Sequence, residues 1–268
     1  MDKNSGRSVK YIKIDIGLLV LILIIVGVLW FFVYSKIAHV DETLTRLATP
    51  GYTTLFQSNV KACDDDGKCL ENVLLVRRGI DNQASEKFKD AVTKAGLKEG
   101  GTVCFDSPGG DMEQGAAIGE YIVRNKLNTC LAAHYSWKDN NSTEYDATPV
   151  CESACTYAFL GGVKRTLLGF AFIGIHDVSG DNREPPTAGQ VDHVRNRIES
   201  LIKTYRNILP QKSQGASIDG AMDLFDVASR TPASSIRLLS PRAAKCGFGF
   251  FTDTYPPIDC QLYSRNMD

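Results

Sequence analysis

The chain has 268 residues, a formal net charge of -1 and a hydrophobic fraction of 43%. That length suits one sizeable domain with an appendage, or two small domains. Lysines and arginines are scattered rather than gathered into a basic stripe, so phosphate binding has no electrostatic support and no nucleic-acid partner is expected.

In chain order, residues 1–15 form a leader carrying Lys3, Arg7, Lys10 and Lys13. Residues 16–35 read as a transmembrane helix. Ile16 to Tyr34 holds no charged residue, and Trp30, Phe31, Phe32 and Tyr34 gather at its end. About 20 apolar residues cross a bilayer core, and aromatic rings favour its interface. A cleaved signal has a shorter apolar core and a small-x-small site, which Ser35-Lys36-Ile37 does not supply. The positive charge before the span places the N-terminus in the cytoplasm and the rest of the chain on the exported side. Residues 36–52 form a linker, and residues 53–268 form the exported domain.

All eight cysteines lie beyond the span. An oxidising compartment lets them pair, and at least two disulfides are expected. Cys63 and Cys69 bracket a short loop that a bridge can close. A bridge between Cys151 and Cys155 is an open alternative, although an i, i+4 helical pair is usually too far apart for good bridge geometry. The spacings fit no common zinc site, and no metal or other cofactor is expected.

Within the domain, Asn72 to Ile80 reads as a strand around Val73-Leu74-Leu75-Val76. Ser85 to Ala95 has helical spacing and stops at Gly96. Thr102 to Phe105 is a second strand that runs into Ser107-Pro108-Gly109-Gly110-Asp111. Asp111 is a good N-cap for a helix whose stripe is Met112, Gly115, Ala116, Gly119, Ile122 and Val123. Thr129 to Ala133 reads as a strand and His134 to Pro149 as a polar loop. Ser153 to Leu160 is a short apolar helix ending at Gly161-Gly162. Leu167 to Ile175 is one continuous apolar run, typical of a strand buried on both faces, and it ends at His176. A polar loop follows, then an amphipathic helix, Val191 to Arg206, with Val194, Ile198, Leu201, Ile202 and Tyr205 on one face. Ser217 to Ala228 is a further helix. Alternating strands and helices imply an α/β fold with a largely parallel sheet.

Three pieces of this pattern carry chemistry. The Gly109-Gly110 turn between strand and helix lets backbone N–H groups point outward, as an oxyanion hole requires. Ser153, inside Cys151-Glu152-Ser153-Ala154-Cys155, opens a helix after a polar loop; as a lone feature it is an N-cap serine. His176 ends a buried strand; as a lone feature it is a structural histidine.

In this order the segments resemble the Clp protease family of the ClpP/crotonase superfamily. The resemblance rests on Ser107-Pro108-Gly109-Gly110, then Ser153-Ala154-Cys155, then Gly161-Gly162 with Lys164-Arg165, then Gly174-Ile175-His176. Leu238 to Phe248 matches the closing stretch, so the likeness runs from Val73 to Phe250. It implies a ClpP/crotonase-like fold of repeated β-β-α units and a peptidase acting on polypeptides. It assigns Ser153 as nucleophile, His176 as general base, and the N–H groups of Gly110 and Ala154 as oxyanion donors. The family's habit suggests a homo-oligomer. The family's aspartate has no match: Ser234 and Ser235 stand in its neighbourhood. Asp226 and Asp223 lie on the preceding helix, with Asp226 expected nearer its apolar face. The membrane-bound serine-lysine proteases of the signal peptide peptidase A group set a lysine at the position of Lys203. That residue points away from its helix's apolar stripe, and a solvated lysine is a poor base. The alternative to a peptidase is a binding or regulatory module that keeps the fold without catalysis. An acyl-CoA enzyme is disfavoured by export.

Overall fold

The computed structural model describes residues 53–137, 143–146, 149–176, 187–208, 224, 226–228, 230–232 and 235–261. The leader, transmembrane helix and linker expected over 1–52 lie outside the described residues. Among the described residues no helix is long and apolar enough to cross a membrane.

The fold is mixed α/β with a curled, mostly parallel sheet. It opens with an antiparallel pair, β1 (Leu55–Cys63) and β2 (Cys69–Arg77), whose ends are joined by a Cys63–Cys69 disulfide. Then follow α1 (Ala84–Lys94), β3 (Thr102–Asp106), α2 (Met112–Arg124) and β4 (Asn128–Ala132). Next come β5 (His134–Trp137), β6 (Thr143–Asp146), β7 (Val150–Glu152), α3 (Ala154–Leu160), β8 (Arg165–Leu168) and β9 (Phe172–Ile175). The chain closes with α4 (Ala188–Ile208), β10 (Arg237–Leu239), a π-helical turn (Ala243–Gly247) and β11 (Asp253–Tyr255). The main sheet runs β11-β8-β4-β3-β2-β1-β5-β6, and a small sheet runs β10-β9-β7.

The period-2 alternation of a strand explains why the apolar runs are continuous. In β2, Leu74 and Val76 enter one core while Val73 and Leu75 enter a second. β3 divides Val103 and Phe105 from Cys104 in the same way, and β4 divides Leu131 from Cys130 and Ala132. The first core lies under the helices. The second is capped by Tyr135 and Trp137 of β5. Tyr135 donates its hydroxyl hydrogen to Phe105 O (3.0 Å) and accepts from Ala132 N–H (2.9 Å). A residue of β5 reaches β3, three strands away in the sheet order, only because the sheet curls.

Three expectations need correction. The stretch from His134 to Pro149 is not a plain loop, since β5 and β6 form an antiparallel ladder within it. Its alternating burial, with Tyr135 and Trp137 inward, is a strand signal hidden by polar neighbours. Leu167 to Ile175 is not one strand. Gly169, at φ 82°, turns the chain out of the main sheet, so β8 and β9 serve different sheets. Cys151 and Cys155 do form a disulfide, with Cα atoms 5.2 Å apart, because Cys151 lies in β7 and only Cys155 is helical. Cys104–Cys130 and Cys246–Cys260 complete the pairing of all eight cysteines.

Two polar devices hold the layers together. Arg165, fully buried, donates to the carbonyls of Phe250 (2.9 Å), Gly162 (3.0 Å) and Gly249 (3.2 Å) and so fastens the closing segment to β8. Burial lowers its pKa to about 10, which leaves it charged at neutral pH. On α4, Arg197 reaches Glu113 (3.0 Å) and Glu120 (2.6 Å) of α2, beside the buried stripe of Val194, Ile198, Leu201, Ile202 and Tyr205.

Candidate functional site

The site is built where β3, β7 and β9 end. Beyond Asp106 the chain continues through Ser107, which bridges to Cys151. Ser107 N–H donates to Val150 O (2.8 Å), and Ser107 O accepts from Glu152 N–H (3.1 Å). The Gly109-Gly110 turn follows and is pinned from outside. Ile80 N–H donates to Gly109 O (2.7 Å), and Asp111 N–H donates to Ile80 O (2.8 Å). Asp111 then caps α2 by accepting from Gln114 N–H (3.0 Å). Gly109 and Gly110 have φ 89° and 136°, values that an L side chain resists.

Ser153 sits between β7 and α3 with φ 52° and ψ -121°. This lies outside the left-handed helical well as well as the ordinary regions. Such outliers cost about 1–3 kcal/mol and cluster at functional sites. The geometry matches the sharp strand-to-helix elbow that exposes a nucleophile in α/β-hydrolases. The elbow rests on the glycine turn: a Cβ on Gly109 would fall 2.5 Å from Glu152 O, 2.7 Å from Ser153 Cβ and 3.0 Å from Ala154 N. Ala154 opens α3, so its N–H has no acceptor within the helix. Among the described residues no acceptor is paired with Gly110 N–H. The structure therefore brings Ser153, Ala154 and the Gly109-Gly110 turn together.

His176 enters through the small sheet. Glu152 is in register with Gly174, and Ser153 N–H donates to Gly174 O (2.9 Å). His176 is two residues further along, half-buried, just past the end of β9. An extended chain rises about 3.3 Å per residue. His176 thus leaves the backbone roughly 7 Å beyond the carbonyl that holds Ser153.

Asp223 lies outside the described residues. Asp226, expected nearer the apolar face, is exposed. Leu224 and Ala228, four residues apart, form the buried stripe, and Asp226 is about 200° from each on a helix. Lys203 is exposed on α4, in keeping with its place off the stripe.

Sequence reasoning missed Glu152 as a special group. It is 3% exposed, its Oε2 meets no hydrogen-bond partner among the described residues, and desolvation raises its pKa to about 7. Its position between two cysteines that bridge was the available signal. The helical reading of Cys151 hid it.

The chain is similar in fold to a mutant ClpP1 from Listeria monocytogenes, with TM-score 0.43 and 17% identity, covering 68% of this chain and 90% of that chain. No known family model matches the sequence, and no curated protein matches it. Any functional reading therefore stands on the site's own geometry.

Proposed function

We propose that the chain is a membrane-anchored, exported serine peptidase with a ClpP/crotonase-like fold of β-β-α units, acting on polypeptides. The strained Ser153 elbow, seated on the Gly109-Gly110 turn, is the observation that carries this reading. In the proposed reaction Ser153 Oγ attacks the scissile carbonyl carbon as His176 takes the hydroxyl proton. The oxyanion is received by the N–H groups of Gly110 and Ala154. His176 then protonates the leaving amine, and water releases the acyl group by the reverse proton path.

The reading is tested with a fluorophosphonate probe on the purified full chain. The probe is expected to modify Ser153, and S153A and H176A should abolish labelling while the protein still melts cooperatively. An unlabelled, folded wild type would overturn the reading. Ser234 and Ser235, in the neighbourhood where the resembled family has its aspartate, favour a second one, a binding module with the fold retained. Peptide binding without any labelling would decide for that second reading.

A further inference from the structure

Ser153 keeps a backbone conformation that a side chain resists, so something around it must enforce it. Hydrogen bonds anchor each flank separately. Upstream, Ser153 N–H is held by Gly174 O (2.9 Å). Downstream, Ser153 O accepts from Thr156 N–H (2.9 Å) and from Thr156 Oγ1 (2.6 Å). None of these three bonds spans the residue.

One covalent link does. Cys151, in β7, is bonded to Cys155, in α3, with Cα atoms 5.2 Å apart. Four residues of extended chain would separate those atoms by about 13 Å. In a continuous helix the i, i+4 side chains do not meet in good bridge geometry. The bond therefore closes only if the chain reverses between β7 and α3, and Ser153 is the residue that takes the positive φ there. Both cysteines are 0% exposed. The link is thus out of reach of solvent thiols in the folded domain and behaves as a fixed brace. The three other disulfides join the β1–β2 ends, β3 to β4, and the π-helical turn to Cys260; of these only Cys104–Cys130 encloses a proposed site residue, Gly110, and its separation of 26 residues is too long to fix a local turn.

We infer that the Cys151–Cys155 disulfide is a positioning device that holds Ser153 in its elbow. The inference rests on the proposed role of Ser153 and deepens it. Without the bridge, β7 and α3 keep their hydrogen bonds while residue 153 relaxes towards an ordinary turn. The hydroxyl then no longer faces the donors at Gly110 and Ala154.

The test is a cycle on the full chain, with C151A/C155A as the bridge-free background. Mass spectrometry first verifies the other three disulfides. The fluorophosphonate labelling rate of the folded protein is expected to fall at least tenfold in this background. Separately, S153G and S153A are compared by melting, with and without the bridge. Glycine tolerates the positive φ, so with the bridge S153G should melt roughly 2–4 °C above S153A. Without it the gap should close, because there is no enforced conformation to relieve. A purely structural bridge would lower all melting points alike and leave both the gap and the labelling rate unchanged, which would overturn the inference. If the wild type does not label, the nucleophile reading fails, yet the melting cycle still decides whether the bridge enforces the elbow. Should C151A/C155A not fold, C151V/C155A restores apolar volume for the same cycle. Reduction of the wild type by a dithiol in mild denaturant, which is then removed, offers a route without substitution. The reagent is oxidised as the bridge takes up two electrons and two protons, and alkylation maps the broken bond. Unchanged labelling after its reduction would also overturn the inference.

Discussion

At the scale of single residues, Glu152 is a group whose ionisation conflicts with its surroundings. Its carbons pack on Gly174, where a Cβ would fall 2.5 Å from Glu152 Cγ. With Oε2 buried and unpartnered, the neutral carboxyl is the form the fold accepts. Its pKa rises from 4.5 to about 7, and the sign of the linkage follows. The folded pKa lies above the unfolded one, so the stabilising contribution is complete below about pH 4.5 and is lost as pH rises through about 7. The shift corresponds to about 3 kcal/mol at most. Glu152→Gln keeps the shape and removes the titration. Denaturant melts should show almost no gap between variant and wild type near pH 4, and a variant more stable by about 3 kcal/mol near pH 8.5. Parallel curves across that range would show that the carboxyl is ionised or solvated in the fold.

At the scale of elements, the site depends on how closely the β3–α2 turn approaches the β7–α3 elbow. Gly109→Ala tests that approach. The new methyl would meet backbone atoms, Glu152 O and Ala154 N, which cannot swing aside, and φ 89° adds strain. The variant should lose about 2 kcal/mol or more and label at least tenfold more slowly. Gly96→Ala is the comparison. It has φ 65° but nothing within 4 Å of the added methyl, so it should lose about 1 kcal/mol and label normally. Equal labelling in both variants would separate the turn from the site. The same elements show what is legible in the sequence. The stripes of α2 and α4, the Asp111 cap of α2 and the stop of α1 at Gly96 are readable because amphipathic period and capping chemistry are local. The glycine turn and the serine helix are readable for the same reason. Hidden are the features that depend on partners far along the chain. β1 escapes notice because its partial burial comes from the curl of the sheet. The division of β8 from β9 turns on Gly169 alone. The bridge at Ser153 is obscured by assuming one helix where a strand meets one.

At the scale of the whole molecule, the two cores differ in how they are secured. The helix-covered core is extensive, whereas the second comprises a few side chains under Tyr135 and Trp137. A disulfide crosses that smaller core, joining Cys104 to Cys130 across adjacent strands. Another, Cys246–Cys260, secures the closing segment that Arg165 holds by its three carbonyls. These bridges span sequence separations of 26 and 14 residues. Loop-closure entropy assigns each about 3 kcal/mol, against a typical total stability of about 5–15 kcal/mol. Reduction should therefore remove a large share of the domain's stability. A change of 1 kcal/mol moves the melting point of a domain this size by about 2–4 °C. Full reduction of the purified chain with a dithiol, followed by alkylation, should lower the melting midpoint by roughly 10–20 °C. Before reduction, peptide mapping should recover four pairs: Cys63–Cys69, Cys104–Cys130, Cys151–Cys155 and Cys246–Cys260. Free thiols in protein taken from its native compartment would contradict the pairing and with it the proposed export, since a reducing compartment keeps thiols open. Intact pairs with an unchanged midpoint after reduction would instead show that the apolar cores suffice and that the bridges act locally, as at Ser153.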